Sequence, residues 1–208
     1  MLAAYISAFE EPHGEGETTI HIDDDGEATG SITEELSRAE PRRTSRVVLL
    51  DPDDRILLMR LAVGPQAASG SGDGDQALWV TLGGRIEPGE SVLTAAEREL
   101  REETGIGDAI VGPVVWYGEQ VLKINGTPRL LKETFVLARC SSSTFNDRGW
   151  SVEERSAIAE MQWWSLGELA AASQAIKPPG LGVLLRELLD ALYTNRDGPV
   201  SVPKIDLQ

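Results

Sequence analysis

The sequence has few of the residues from which many binding sites are built. It contains one cysteine, Cys140, so no disulfide can form within the chain, and this usage is typical of a reducing, cytoplasmic compartment. Its histidines, His13 and His21, are too few for a zinc site of His and Cys ligands. No apolar run approaches the roughly 20 residues of a membrane span, and residues 1–11 make a poor signal peptide. We therefore expect no membrane association.

Positive charge is also scarce. The chain carries 19 lysines and arginines against 34 aspartates and glutamates, a formal net charge of -15. Binding a nucleic-acid polymer normally needs a basic face, so the composition argues against that class of partner. A small phosphorylated ligand stays compatible with this charge, because a bound metal ion reverses the local sign of the electrostatic field.

The sequence divides into an acidic leader, residues 1–44, and a domain that spans residues 45–208. Short alternating runs on either side of the step Asp25-Gly26 are typical of a β-hairpin. A disordered acidic tail is the alternative that the composition leaves open. If the leader is a hairpin, its open strand edges offer a route to a homodimer.

The domain mixes strands with a few helices. We predict strands over 46–50, 56–59, 77–82, 109–121, 130–139 and 161–164, with helices over 91–104, 166–172 and 181–193. Segments 64–75 and 140–154 are predicted to be loops. Ser91 is a suitable N-cap for the first helix and Gly105 a suitable stop. This mixture indicates an α/β or α+β layered domain.

The first predicted helix places three glutamates near the protein body. At about 100° per residue, an apolar stripe that should face the core is formed by Val92, Leu93, Ala96 and Leu100. Glu103 falls within this stripe, Glu99 at its edge and Glu102 just beyond it. Two carboxylates 4 Å apart at such a position repel each other by about 4 kcal/mol at an effective dielectric constant of 20. A cation or raised pKa values must offset that repulsion.

A divalent cation is the simplest solution. Arg98 can orient Glu102, which lies four residues further on, but one guanidinium cannot serve all three glutamates. Hard divalent ions prefer oxygen ligands of this kind. The preceding Gly83-Gly84 step lets the backbone turn sharply and bring a carbonyl close to an ion. A helix that begins after a glycine-rich loop is also a natural place for phosphate.

Segment 84–106, GRIEPGESVLTAAERELREETGI, resembles the signature box of the Nudix hydrolases. Every fixed position of that box is met, by Gly84, Glu90, Arg98, Glu99, Leu100, Glu102, Glu103, Gly105 and Ile106. The strand pattern over about 45–193 is similar to the family's α/β/α sandwich with a mixed β-sheet. The resemblance implies an enzyme that uses Mg²⁺ or Mn²⁺ to hydrolyse a diphosphate linkage in a nucleoside diphosphate linked to another moiety.

The resemblance also implies roles for individual residues. By position, Glu99, Glu102 and Glu103 would bind the metal, and the Gly83 carbonyl would be a further ligand. Arg98 would hold the glutamates in place, and Glu90 would be structural or would act outside the ligand set.

The general base is left open by the resemblance, because family members differ in this residue. Some members use the glutamate that matches Glu99, and others use a glutamate on a loop after the box. The loop candidates here are Glu153 and Glu154, with Glu119 and Glu133 behind them.

Two further questions stay open. The motif that marks coenzyme A diphosphatases is not found. The downstream proline typical of ADP-ribose hydrolases and the downstream tyrosine typical of dinucleoside polyphosphate hydrolases are also not evident, so the nucleotide is not identified. The alternative function is a non-catalytic Nudix-fold ligand sensor or regulatory protein; the intact glutamates favour the enzyme, because a sensor needs no metal-activated water. Trp79, Trp163 and Trp164 could stack on a base, but we expect structural roles for them.

Overall fold

The computed structural model describes residues 41–62, 78–124, 127–194 and 204–206, which form one mixed β-sheet with helices on both faces. The predicted leader hairpin and the predicted loop over 64–75 lie outside these residues. Of the helices described, none is both long and apolar enough to cross a membrane.

Within the described residues the sheet has eight strands: β1 (Arg42–Leu50), β2 (Ile56–Leu61), β3 (Leu78–Arg85), β4 (Ile110–Ile124), β5 (Thr127–Arg139), β6 (Ile158–Trp164), β7 (Ala175–Lys177) and β8 (Lys204–Asp206). The helices in the same part of the chain are α1 (Val92–Thr104), α2 (Val152–Ala157), α3 (Leu166–Ala171) and α4 (Leu181–Thr194). The strand order is β6-β2-β3-β1-β5-β4-β8, with β7 beside β3. Strand β1 runs antiparallel to β3 and parallel to β5.

The central strand β1 shows why the domain is a three-layered sandwich. Successive side chains of a strand point to opposite faces of its sheet. Val47 and Leu49 pack into the core that contains Ala96 and Leu100 of α1, whereas Val48 and Leu50 pack into the core formed with α3 and α4. A strand that is buried on both faces is a continuous apolar run, as this sequence is. The predicted α/β/α fold class is confirmed.

Several elements extend beyond the predicted bounds. Strand β1 begins at Arg42, four residues earlier than predicted, because it pairs with β5 along its full length, from Arg42 opposite Leu131 to Leu50 opposite Arg139. Strands β4 and β5 are longer because they pair with each other almost to their connection. The loop predicted over 140–154 gives way to α2 at residue 152. Strands β7 and β8, of three residues each, are too short for alternation to reveal.

The tryptophans occupy structural positions. Trp79 and Trp164 are buried in the α3/α4 core and pack edge to face, with ring centroids 5.0 Å apart. Trp163 lies on the opposite face and donates its indole N–H to the Ser143 carbonyl at 2.8 Å. The expectation that these side chains have structural roles agrees with this packing.

We predict that Leu185→Ala destabilises the fold by about 2–5 kcal/mol, because the side chain is fully buried and its removal leaves a cavity. The matched control is Val183→Ala on the same helix, where the side chain is 63% exposed and the cost should be small. Urea unfolding of both variants measures the difference. Equal losses of stability would show that α4 does not pack as described.

Candidate active site

Helix α1 has well-defined ends. The Ser91 side chain accepts a hydrogen bond from the Thr94 backbone N–H at 3.1 Å, the contact that a serine N-cap is expected to make. At the other end, Gly105 adopts the left-handed conformation with φ of 67° and donates its N–H to the Arg101 carbonyl. The predicted start and end of this helix are confirmed.

The buried face of α1 includes two of the three glutamates. Glu99 is 6% exposed and Glu103 is 1% exposed, whereas Glu102 points outwards. The buried residues are Ala95, Ala96, Glu99, Leu100, Glu103 and Thr104. This face is centred between the glutamates and Leu100, so Leu93 falls at its margin and is 43% exposed. The prediction that Leu93 faces the core is therefore wrong, while the burial predicted for Glu99 and Glu103 is confirmed.

The two buried carboxylates face Gly83 and Gly84, which lie near the end of β3 and pair with β1. The sharp turn predicted at this glycine pair is therefore wrong, because the strand continues to Arg85. The Gly83 N–H donates to Glu103 Oε2 at 2.8 Å. A Cβ added to Gly84 would overlap the Glu99 carboxylate, so this glycine leaves the space that the carboxylate occupies. Gly83 has φ of 119°, and a Cβ there would overlap the Ser45 carbonyl. The sequence Gly83-Gly84 thus allows the helix and the strand end to approach closely.

Arg98 connects the charged groups on the outer side of α1. Its guanidinium donates to both oxygens of Glu90, at 2.9 and 3.0 Å, and to the Arg85 carbonyl at 3.0 Å. The same group reaches Glu99 Oε1 at 2.8 Å and Glu102 Oε2 at 3.1 Å. These contacts are those of a residue that orients the glutamates.

Burial makes ionisation of the inner carboxylates costly. Loss of solvation, followed by the charge of Glu99, raises the pKa of Glu103 to about 8. Burial also raises the pKa of Glu99, although the hydrogen bond and the charge of Arg98 oppose this shift. The Arg46 charge lowers the pKa of both groups without cancelling the effect of burial.

The chemistry of this site suits a hard divalent cation. Two buried carboxylates and the Gly83 carbonyl supply oxygen donors, and the raised pKa values indicate that positive charge is in deficit there. Among the described residues, no three or more His, Cys, Asp or Glu side chains are grouped closely enough to hold a metal. Glu102 accepts from the same Arg98 Nη1 as Glu99 does, but unlike Glu99 and Glu103 it lies on the exposed side of α1.

A buried ion pair, Arg46 with Glu133, lies next to Gly83. Arg46 Nε donates to Glu133 Oε1 at 2.6 Å, and Arg46 Nη1 donates to the Gly83 carbonyl at 3.2 Å. Sequence reasoning considered Glu133 only as a distant candidate base and assigned no role to Arg46. The signal in the sequence was Arg46 itself, a charged residue at the start of the predicted strand 46–50, whose other residues are all apolar.

Arg46 and Glu133 also line a pocket on the sheet face opposite α1. The pocket has a volume of about 10 Å³, and its polar lining consists of Arg46, Thr81, Gln120, Glu133 and Lys177. A space of this size is about what one water molecule needs. The pocket is therefore too small for a nucleotide, and Arg46 joins it to the Gly83 carbonyl.

The candidate bases lie in different surroundings. Glu154 caps α2 by accepting the Ser151 N–H at 2.7 Å, and its charge contributes to the raised pKa of Glu103. Glu153 lies on the same helix. Both oxygens of Glu119 are engaged, by Lys204 at 2.6 Å and Lys132 at 3.4 Å. Glu154 is therefore close enough to Glu103 to influence its pKa.

The loop before α2 is fixed to α1. The Trp150 indole N–H donates to the Glu103 carbonyl, and a Cβ on Gly149 would overlap the Glu102 carbonyl. The Asn146 N–H donates to the Thr104 carbonyl at 2.8 Å. These contacts hold the start of α2, and with it Glu154, against the second half of α1.

The fold and this site define an α/β/α sandwich in which a glutamate-bearing helix packs on two adjacent glycines of β3. A sequence profile described as the NUDIX domain matches residues 40–185. The chain belongs to the Nudix family, and it is a hydrolase of that family. No protein with a curated function matches it in sequence.

Solved structures share this fold. A MutT protein from Methanosarcina mazei Go1 is similar with a TM-score of 0.51 and 15% identity over 74% of this chain and 97% of that chain. A UDP-X diphosphatase has a TM-score of 0.51 and 19% identity over 84% of this chain and 73% of that chain. The NUDIX domain of Shewanella oneidensis NrtR, complexed with ADP ribose, has a TM-score of 0.51 and 18% identity over 76% of this chain and 97% of that chain.

We predict that the metal-free protein loses stability as the pH rises from about 4.5 to about 8. In this range Glu103 keeps its proton in the fold, where its pKa is about 8, but loses it in the unfolded chain, where the reference value is 4.5. The folded state binds more protons, so the free energy of unfolding falls by up to about 1.4 kcal/mol for each pH unit. Urea unfolding in EDTA at several pH values measures this slope.

Two substitutions on α1 isolate the contribution of Glu103. Glu103→Gln removes the titrating group and should flatten the slope, whereas Glu97→Gln, on the exposed side of α1, should leave it unchanged. A Glu103→Gln variant with the wild-type slope would contradict the prediction.

Proposed function

We propose that this protein hydrolyses a diphosphate linkage in a nucleoside diphosphate linked to another moiety, with Mg²⁺ or Mn²⁺ as cofactor. The observation that carries the proposal is the burial of Glu99 and Glu103 against Gly83 and Gly84 of β3. Ionised carboxylates buried this deeply are disfavoured unless a cation accompanies them. Cytoplasmic location and a homodimer formed through the leader stay predictions.

Each residue has a proposed task. Glu99, Glu103 and the Gly83 carbonyl hold the cation, and Glu102 joins them by leaving Arg98. Arg98 keeps Glu99 oriented through its contact at 2.8 Å. The chemistry supplied when the divalent ion is bound is polarisation of the phosphoryl oxygen and a lower pKa of the attacking water.

We further propose Glu154 as the general base. Its charge reaches Glu103, and the loop that carries it is bonded to α1 through Trp150. Glu99 is the less suitable choice, because its carboxylate is already held by Arg98 and by the closely packed Gly84. Glu154 is only partly buried, which leaves it access to a water molecule.

The test of the overall function is a panel of nucleoside diphosphate derivatives assayed for release of the nucleoside monophosphate. UDP-linked and ADP-ribose-like compounds belong in the panel, since structural neighbours are a UDP-X diphosphatase and a domain complexed with ADP ribose. We predict turnover that requires Mg²⁺ or Mn²⁺ and that falls at least about 100-fold in Glu99→Gln and Glu103→Gln. Glu97→Gln, on the exposed side of α1, should retain the wild-type rate.

Two results would contradict this function. Ligand binding without turnover of any compound, unchanged in Glu102→Gln, would favour the ligand sensor. Wild-type rates in Glu99→Gln or Glu103→Gln at limiting metal would show that these residues are not ligands.

The role of Glu154 has its own test. Glu154→Gln should lower kcat by about 10²–10⁴-fold, the usual contribution of a general base, while Mn²⁺ binding is unchanged. Glutamine can still accept the Ser151 N–H, so α2 should stay capped. The matched control is Glu168→Gln, because Glu168 occupies the same capping position in α3. A wild-type kcat in Glu154→Gln would transfer the role of base to Glu99 or Glu153.

A further inference from the structure

The buried Arg46 side chain lines the pocket and also contacts Gly83 of β3. Arg46 on β1 lies directly opposite Gly83 on β3 in the antiparallel ladder. Its side chain is 3% exposed, and that of its partner Glu133 is 4% exposed. The hydrogen bonds that Arg46 donates to Glu133 and to the Gly83 carbonyl are therefore formed away from bulk water, where electrostatic interactions are strong.

The peptide groups of Gly83 are held at both sides of the residue. The N–H donates to Glu103 at 2.8 Å, and the carbonyl accepts from Arg46 at 3.2 Å. The φ of 119° is a conformation that residues with a side chain rarely adopt, and the space for a Cβ is already filled by the Ser45 carbonyl. A carbonyl oxygen has two lone pairs, so a contact with Arg46 leaves one for a cation.

Arg46 is itself held in place. Besides its bond to Arg46, Glu133 accepts from Gln120 Nε2 at 3.3 Å and from Thr44 Oγ1 at 3.4 Å. The planar guanidinium presents its donors in a rigid fork, so one side chain can bind Glu133 and Gly83 at once. A lysine has a single ammonium group and cannot reproduce this two-point geometry.

We propose that Arg46 is a positioning residue, which fixes the Gly83 carbonyl as a ligand for the divalent cation while Glu133 fixes the orientation of Arg46. The inference rests on the function proposed above. It assigns to the pair a task beyond joining β1 to β5, since a buried ion pair is often no more stabilising than apolar residues of the same size. The reacting groups are contacted by Gly83 and the glutamates, and Arg46 acts through Gly83.

The test uses Arg46→Lys, which preserves the charge and removes the fork. Calorimetric titration of the whole chain with Mn²⁺ alone should show a dissociation constant raised about 10-fold or more, as is typical when a residue that orients a metal ligand is lost. In the diphosphatase assay, kcat should fall by a similar factor, while the KM for the nucleotide changes little. The control is Arg60→Lys, in which another cross-strand pair, Arg60 with Glu160, is altered; it should bind Mn²⁺ and turn over as the wild type does.

The second variant, Glu133→Gln, keeps an acceptor for Arg46 and should cause a smaller loss of Mn²⁺ affinity. In the double variant the two losses should not add, because both act on one contact. If Arg46→Lys does not fold, Glu133→Gln alone still tests the inference.

Two results would overturn the inference. Wild-type Mn²⁺ affinity together with a raised nucleotide KM would make Arg46 a substrate contact. Wild-type Mn²⁺ affinity and turnover with a lowered melting temperature would make the pair purely structural. Failure of the wild-type protein itself to bind Mn²⁺ or to turn over any diphosphate would defeat the proposed function, and is thereby distinguished from failure of the inference.

Discussion

The close packing of α1 against Gly83 and Gly84 of β3 is the constraint on which the site depends. It places two carboxylates, Glu99 and Glu103, where they lose almost all contact with water. Burial of this kind raises the pKa of both groups. A helix packed less closely would leave the glutamates solvated, and the electrostatic demand for a cation would then largely disappear.

The surrounding arginines divide the electrostatic task. Arg98 lies on the outer side of α1 and binds Glu90, Glu99 and Glu102, so it controls the orientation of side chains. Arg46 lies on the inner side, where its charge lowers the pKa of Glu99 and Glu103 and its guanidinium binds the backbone. The glutamates around these two arginines outnumber them, so the arginines offset only part of the negative charge of the site.

The parts of the site that depend on local sequence could be predicted, and those that depend on distant contacts could not. The caps of α1 and the burial of Glu99 and Glu103 follow from helical periodicity and from residues within about one turn of each other. The pair Arg46–Glu133 joins residues 87 positions apart, and only the parallel pairing of β1 with β5 brings them together. The exposure of Leu93 likewise depends on how the whole helix is rotated against the sheet, which an ideal wheel does not specify.

The exposed position of Glu102 suits the movement that the proposed metal site requires of it. The ion pair of Glu102 with Arg98 is half exposed, the Glu102 side chain retaining 50% of its accessibility. Exposed pairs of this kind contribute only about 0–1 kcal/mol, so a cation held by Glu99 and Glu103 can recruit Glu102 with little opposition. Arg98 would keep its two bonds to Glu90 and its bond to Glu99, so α1 and the glycines of β3 would not need to rearrange. Of the three proposed ligands, the two buried ones are therefore already in place, and Glu102 is the one that can move.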